Sequence, residues 1–256
     1  MSDEKSLKYN EPWILQRADP YVYRHTDGSY YFTASVPAYD GIVLRRAGTL
    51  AELSGAEEVM VWKKHESGPM SYHIWAPEIH YLFGKWYIYF AGGEAEDIWK
   101  IRPYVLECSG DDPLTDEWVE LGKMKRAAED EFSFEAFSLD ATVFENKGEY
   151  YYVWAEKVGV GKMISNLYIA KMESGNQLKT VQVLLTTPDY DWERKGFWVN
   201  EGPAVIHHDG KMFLTYSASE TGVDYCVGML SIDEDADILD PRLWKNCLLY
   251  TSDAAD

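Results

Sequence analysis

The sequence predicts an all-β protein built as a β-propeller, and three observations carry that prediction. A phrase made of a glycine turn and alternating aromatics recurs four times, a short apolar stretch precedes each copy, and another follows it. The copies are Asp27-Gly28-Ser29-Tyr30-Tyr31-Phe32-Thr33, Phe83-Gly84-Lys85-Trp86-Tyr87-Ile88-Tyr89, Lys147-Gly148-Glu149-Tyr150-Tyr151-Tyr152-Val153 and Asp209-Gly210-Lys211-Met212-Phe213-Leu214-Thr215. Their glycines, at 28, 84, 148 and 210, are separated by steps of 56, 64 and 62 residues, which is a period.

Each unit reads as a hairpin with a glycine turn followed by a third strand. Ala141-Thr142-Val143-Phe144 and Ala204-Val205-Ile206 are examples of the leading strand. The trailing strands are Ile42-Val43-Leu44, Tyr104-Val105-Leu106, Leu167-Tyr168-Ile169-Ala170 and Val227-Gly228-Met229-Leu230. No amphipathic helices intervene, so the repeat reads as propeller blades; an irregular β-sandwich would not need the period. Turn-rich segments such as Ser109-Gly110-Asp111-Asp112-Pro113 and Asp237-Ile238-Leu239-Asp240-Pro241 join the units. With no low-complexity linker, residues 1–256 read as a single domain.

Composition narrows the function classes. A chain of 256 residues, 46% hydrophobic, can bury a large core. Aromatics at 15% suit both strands and sugar-stacking surfaces. A formal charge of -19 repels phosphate backbones and anionic headgroups, so neither nucleic acid nor a membrane surface is an expected partner. Cys108, Cys226 and Cys247 are too few and too scattered for a disulfide framework or metal knuckle. Residues 1–10 carry no apolar run and the longest apolar stretch, Trp86 to Gly93, is short, so the chain as written reads as cytoplasmic.

Three carboxylates fall just ahead of a hairpin's first strand, which in a propeller lines the central channel. Asp19 lies in Arg17-Ala18-Asp19-Pro20, Asp140 in Phe137-Ser138-Leu139-Asp140, and Glu201 in Asn200-Glu201-Gly202-Pro203. They precede their turn glycines by nine, eight and nine residues, a matched register that would bring them to one pocket. Glu78, six residues before Gly84, falls slightly later. Cleaving a glycosidic bond needs one protonated carboxyl to protonate the leaving oxygen and one ionised carboxylate on the other face of the sugar. A third carboxylate raises the acid's pKa by like-charge repulsion.

With Ala18-Asp19-Pro20, Trp75-Ala76-Pro77-Glu78, Ser138-Leu139-Asp140 and Asn200-Glu201-Gly202-Pro203 in this order on four blades, the chain resembles glycoside hydrolase family 43 over roughly residues 11–245. The resemblance implies a five-bladed β-propeller and inverting hydrolysis. It assigns Asp19 as general base, Asp140 as pKa modulator and Glu201 as general acid. It favours an α-L-arabinofuranosidase acting on arabinan- or arabinoxylan-type oligosaccharide or polysaccharide. The alternatives are a β-xylosidase of the same family and a non-catalytic carbohydrate-binding propeller. Trp75, Glu78, Phe137 and Trp198 are the candidate substrate-binding residues, Trp75 as a sugar platform.

The family's fifth blade brings a Gly-His-Asn motif whose histidine stands in the channel near a metal or water, and none of the six histidines here matches it. No cofactor is expected; the resemblance allows a structural calcium in an intact parent, but no metal ligand is assigned. Only about four blades are present, and Leu248 to Asp256 read as a non-native tail, so an open ring is expected. Related retaining propellers carry Arg-Asp-Pro and Glu-Cys signatures. Here the first is absent, and Glu107-Cys108 falls in a third strand, off the channel. His65, His73, His80 and His207-His208 lack zinc-hydrolase spacing, and Gly159-Val160-Gly161 lacks the third glycine of a dinucleotide loop.

Overall fold

The computed structural model describes residues 12–160 and 162–247, and the expected tail lies outside them. Four antiparallel blades follow one another along the chain. Blade one is β1 (Ala18–Arg24), β2 (Tyr30–Ser35), β3 (Gly41–Ala47) and β4 (Val59–Lys63). Blade two is β5 (Tyr72–Leu82), β6 (Lys85–Glu94), β7 (Asp97–Cys108) and β8 (Val119–Lys123). Blade three is β9 (Ser138–Asn146), β10 (Glu149–Val160) and β11 (Lys162–Ser174), with the short β12 (Gln177–Leu178) and β13 (Val183–Thr186) on its outer side. Blade four is β14 (Trp198–His208), β15 (Lys211–Ala218), β16 (Cys226–Asp233) and β17 (Lys245–Cys247).

The hairpin turns follow from their sequence. Phe83-Gly84, Lys147-Gly148 and Asp209-Gly210 are two-residue loops with positive φ at both positions, the geometry that matches the twist of antiparallel strands. Blade one instead crosses from β1 to β2 through residues 25–29, with Gly28 at φ 91°. Each blade gains a fourth, outer strand beyond the three expected. These strands are three to five residues long and half exposed, so they carry little hydrophobic alternation.

Blades stack face to face, and each interface is an apolar cluster. Tyr31, Ile42 and Trp62 of blade one meet Ile79, Trp86 and Ile88 of blade two. Tyr87, Tyr89 and Val105 of blade two meet Val143, Tyr152 and Trp154 of blade three. Val153, Leu167 and Ile169 of blade three meet Met212, Leu214 and Tyr216 of blade four. A strand covered on both faces loses its alternation: Trp86 to Gly93 in β6 are all buried, whereas β15, in a flanking blade, alternates. The apolar stretch in the sequence is therefore a central strand of a central blade.

The first strands form the inner wall, β1 packing on β5, β5 on β9 and β9 on β14. Blades three and four are also joined by a short parallel pairing of β11 with β14, at Ile164 with Trp198 and Ser165 with Val199. Among the described residues no comparable packing of β14 on β1 closes the ring, so this is a partial propeller.

Candidate active site

All four inner strands break their ladder at the same place. The register slips between Ala18 and Tyr21, Trp75 and Glu78, Leu139 and Thr142, and Glu201 and Ala204. The residues at the slip, Asp19, Ala76, Asp140 and Gly202, all have positive φ, at 49°, 45°, 50° and 57°. Such bulges re-aim side chains and concentrate near functional sites. Left-handed backbone costs a non-glycine residue on the order of 1–3 kcal/mol, least for aspartate and its like. At Gly202 an added Cβ would meet nothing closer than Ser217 Oγ at 3.5 Å, so backbone conformation, not space, calls for glycine.

The bulges define layers and correct the matched register. Asp19 and Asp140 occupy equivalent positions, but the place in blade four belongs to Gly202. Glu201 lies one layer above, with Ala18, Trp75 and Leu139. Glu78 lies two layers below the bulge, with Tyr21, Thr142 and Ala204. Counting from the turn glycine concealed this because the turn of blade one is longer than the others.

Two cavities share the bulge layer. The outer one, about 350 Å³, is lined by Asp19, Asp140, Glu201 and Lys157 with the rings of Tyr39, Trp75, Trp99, Phe137 and Phe197. The inner one, about 360 Å³, also holds Asp19 and Asp140, with Tyr21, Glu78, Ser217 and Tyr225. The structure thus brings the three expected catalytic carboxylates to one pocket, with Trp75 and Phe137 beside them and Glu78 beneath. Trp198 is placed differently: it is not among the residues lining either cavity, and the Arg194 guanidinium sits 4.7 Å from its ring centre. Strand alternation explains this, because on β14 Val199 and, just ahead of it, Phe197 share a side with Glu201, whereas Trp198 and Asn200 face the other way.

Asp19, Asp140 and Glu201 are each held by a donor from another element. Ser35 Oγ donates to Asp19 Oδ2 at 2.7 Å and itself accepts the Ala76 N–H at 2.8 Å, which ties the bulges of blades one and two together. The Gly202 N–H donates to Asp140 Oδ2 at 3.1 Å, tying blade four to blade three. The Tyr225 hydroxyl donates to Glu201 Oε1 at 2.8 Å. Glu78 Oε2 stands 2.9 Å from His80 Nε2, whose ring also contacts the Tyr21 hydroxyl at 3.4 Å.

The electrostatics favour retention of a proton. Burial, then the charges of Glu201 and Asp19, lift the Asp140 carboxyl well above the usual carboxylate range, against the Gly202 N–H. Glu201 is raised by burial, with Tyr225 and Lys157 pulling it down and Asp19 pushing it up. Burial also raises Glu78, while His80 and Thr142 oppose it. Lys157, lowered by desolvation and held over the Phe137 ring at 3.9 Å, supplies a positive charge that favours the Glu201 carboxylate.

Sequence reasoning missed Ser35, Lys157, Tyr225, Trp99 and Phe197. Phe197 was recoverable by counting in twos from Glu201. Tyr225 comes from a connection between strands, where no period applies, and Trp99 from the exposed start of β7, where burial does not alternate. Glu107 lies on β7, bound by Lys85, Tyr87 and Ser109, outside both cavities. No group of three or more His, Cys, Asp or Glu side chains suited to a metal occurs among the described residues. Glu78 faces the His80 ring nitrogen rather than a second oxygen ligand of the kind calcium takes.

A family model described as glycosyl hydrolases family 43 matches residues 9–254. An extracellular exo-α-(1→5)-L-arabinofuranosidase of Streptomyces chartreusis is 48% identical over 93% of this chain and 70% of its own length. The α-L-arabinofuranosidase 43 of Humicola insolens is 45% identical over 98% of this chain, and only 51% of that enzyme is covered. The crystal structure of an α-L-arabinofuranosidase from Lactobacillus brevis superposes with a TM-score of 0.83 at 52% identity, covering 92% of this chain and 74% of that one. The chain therefore spans between about half and three quarters of the length of these relatives.

Proposed function

Because the chain belongs to glycosyl hydrolase family 43, we propose that its pocket removes terminal α-L-arabinofuranosyl residues from arabinan- or arabinoxylan-type chains by inverting hydrolysis. The observation that supports this most is the carboxylate cluster at the bulge layer, open to a cavity ringed by aromatics. Exposed Trp99 and Phe197 at the mouth, with Trp75 deeper, offer apolar faces for sugar rings, while the carboxylates below are too polar for a purely apolar ligand.

The chemistry follows from the environments. Asp19, solvent-facing and fixed by Ser35, takes a proton from a water that attacks the anomeric carbon. Glu201 gives its proton to the leaving oxygen on the opposite face. Asp140 and Glu201 form a crowded buried pair, so ionisation of one opposes ionisation of the other and the pair retains a proton for the leaving oxygen. Inversion requires the base and acid to stand about 6.5–9.5 Å apart, with room for the water. Substrate is a neutral polysaccharide or oligosaccharide, and no nucleic acid or membrane surface is needed. Among the described residues no helix is long and apolar enough to cross a membrane.

The test compares release of 4-nitrophenol from the α-L-arabinofuranoside and the β-D-xyloside by this chain and by its Asp19→Asn variant. The arabinofuranoside should be the better substrate, and turnover should vanish in the variant. Preference for the xyloside would replace the sugar assignment. Saturable arabinose binding without turnover of either glycoside would favour a carbohydrate-binding propeller.

A further inference from the structure

We propose that Tyr225 is a positioning residue for proton transfer: its hydroxyl pins Oε1 of Glu201, so that Oε2 is the oxygen that delivers the proton, and its grip strengthens as Glu201 becomes a carboxylate. This rests on Glu201 being the acid.

The geometry is specific. Tyr225 ends the connection from β15 to β16 and reaches across to the inner strand β14, where its 2.8 Å bond meets the acid. It lines the inner cavity while Glu201 lines the outer one, so the bond crosses the bulge layer from below and leaves the outer side of the carboxyl free for substrate. The connection is anchored by the Glu220 N–H donating to the Lys195 carbonyl at 3.0 Å and by Lys195 Nζ to Asp224 Oδ1 at 3.2 Å. The ring is therefore presented by a braced segment.

The other charged groups facing Glu201 are Lys157 from β10, Asp19 from β1 and Asp140 from β9. Lys157 and Tyr225 favour the carboxylate; Asp19 disfavours it. Burial and the Glu201 charge hold the Tyr225 phenol far above its ordinary pKa, so it remains a donor throughout the range in which Glu201 titrates. A phenol donates more strongly to a carboxylate than to a carboxylic acid. Its contribution therefore grows along the reaction coordinate, which is the condition for lowering a barrier.

The experiment uses Tyr225→Phe, which keeps the ring, and 3-fluorotyrosine at position 225, a slightly stronger donor of nearly the same shape. The first readout is the titration of the Glu201 carboxyl by 13C NMR, its signal identified by loss in Glu201→Gln; this needs no turnover. Tyr225→Phe should raise that pKa by about one unit or more, and fluorotyrosine should lower it. The second readout is kcat across α-L-arabinofuranosides with alkyl and aryl leaving groups. Tyr225→Phe should cost about 10- to 100-fold on alkyl leaving groups and much less on 4-nitrophenolate, which leaves with little protonation. Asp224→Ala, which removes one brace but keeps the phenol, should move the Glu201 titration less than Tyr225→Phe does. A Glu201 titration unchanged in both Tyr225 variants, or a loss equal for all leaving groups, would overturn the proposal. If Glu201→Gln itself hydrolyses alkyl arabinofuranosides at the wild-type rate, the acid assignment fails instead.

Discussion

Asp130 and Asp140 are ten residues apart and both withdrawn from water, yet their carboxyls shift in opposite directions. Burial pushes Asp130 up, but it is outweighed by four donors: the backbone N–H groups of Phe132, Ser133 and Gln182 and the Ser133 hydroxyl. Asp140 has the Gly202 N–H and faces Glu201 and Asp19 besides. Glu193 resembles Asp130, accepting from Asp189 and Tyr190 N–H, Asn200 Nδ2 and the Tyr216 hydroxyl. The blades saturate their buried carboxylates with donors, while the channel leaves its own crowded and undersupplied. That deficit separates a structural acid from a reactive one more reliably than burial does.

Breaking the channel side should have the largest effect. Asp19→Asn should lower kcat/KM on the 4-nitrophenyl α-L-arabinofuranoside, and Glu201→Gln should lower it on an alkyl α-L-arabinofuranoside, each by about 10²–10⁴-fold. Their melting temperatures should stay at or above that of the parent. Breaking the blade side should do the reverse. Asp130→Ala strands donors from two segments and should cost roughly 3–5 kcal/mol by urea denaturation, with turnover per folded molecule retained.

The two aspartates should also move stability oppositely with pH. The folded-state pKa of Asp140 is raised, so its contribution is fully present below the unfolded value and is lost as pH rises through the folded value. Asp140→Asn should therefore stabilise the protein at pH 8, by on the order of 1–2 kcal/mol, and lose that advantage toward pH 4, while abolishing most activity. Asp130 is depressed, so its contribution is present above the unfolded value and is lost as pH falls through the folded one. In Asp130→Asn the deficit should accordingly shrink in acid, read from denaturation midpoints across pH. The smallest effect is expected at the rim: Trp99→Ala should raise KM for arabino-oligosaccharides a few-fold, consistent with about 0.5–1.5 kcal/mol for a stacking face, and leave KM for the nitrophenyl glycoside nearly unchanged.

The same contrast decides what could be read from the sequence. The hairpins were legible because each turn needs glycine at a positive φ, and Asp19, Asp140 and Glu201 because each lies within one residue of the same place ahead of those turns. The outer strands were not, since β8 and β17 bury almost nothing that alternates. The bulge was hidden too, and with it the one-layer offset of Glu201. Lys157 and Tyr225 reach Glu201 from other strands and connections, and no local pattern records that contact. Trp198 shows the opposite error: as an aromatic near Glu201 it attracts attention, but the alternation of β14 turns it away and presents Phe197.

If the undersupplied channel carboxylates perform inverting hydrolysis of an arabinofuranoside, the first-formed product carries the opposite anomeric configuration. This is tested most directly by following hydrolysis of 4-nitrophenyl α-L-arabinofuranoside by 1H NMR during the first turnovers, with the parent and Asp19→Asn side by side. β-L-Arabinofuranose should be the first-formed anomer, with no product from the variant. The α-anomer appearing first, or equal turnover in Asp19→Asn, would contradict it.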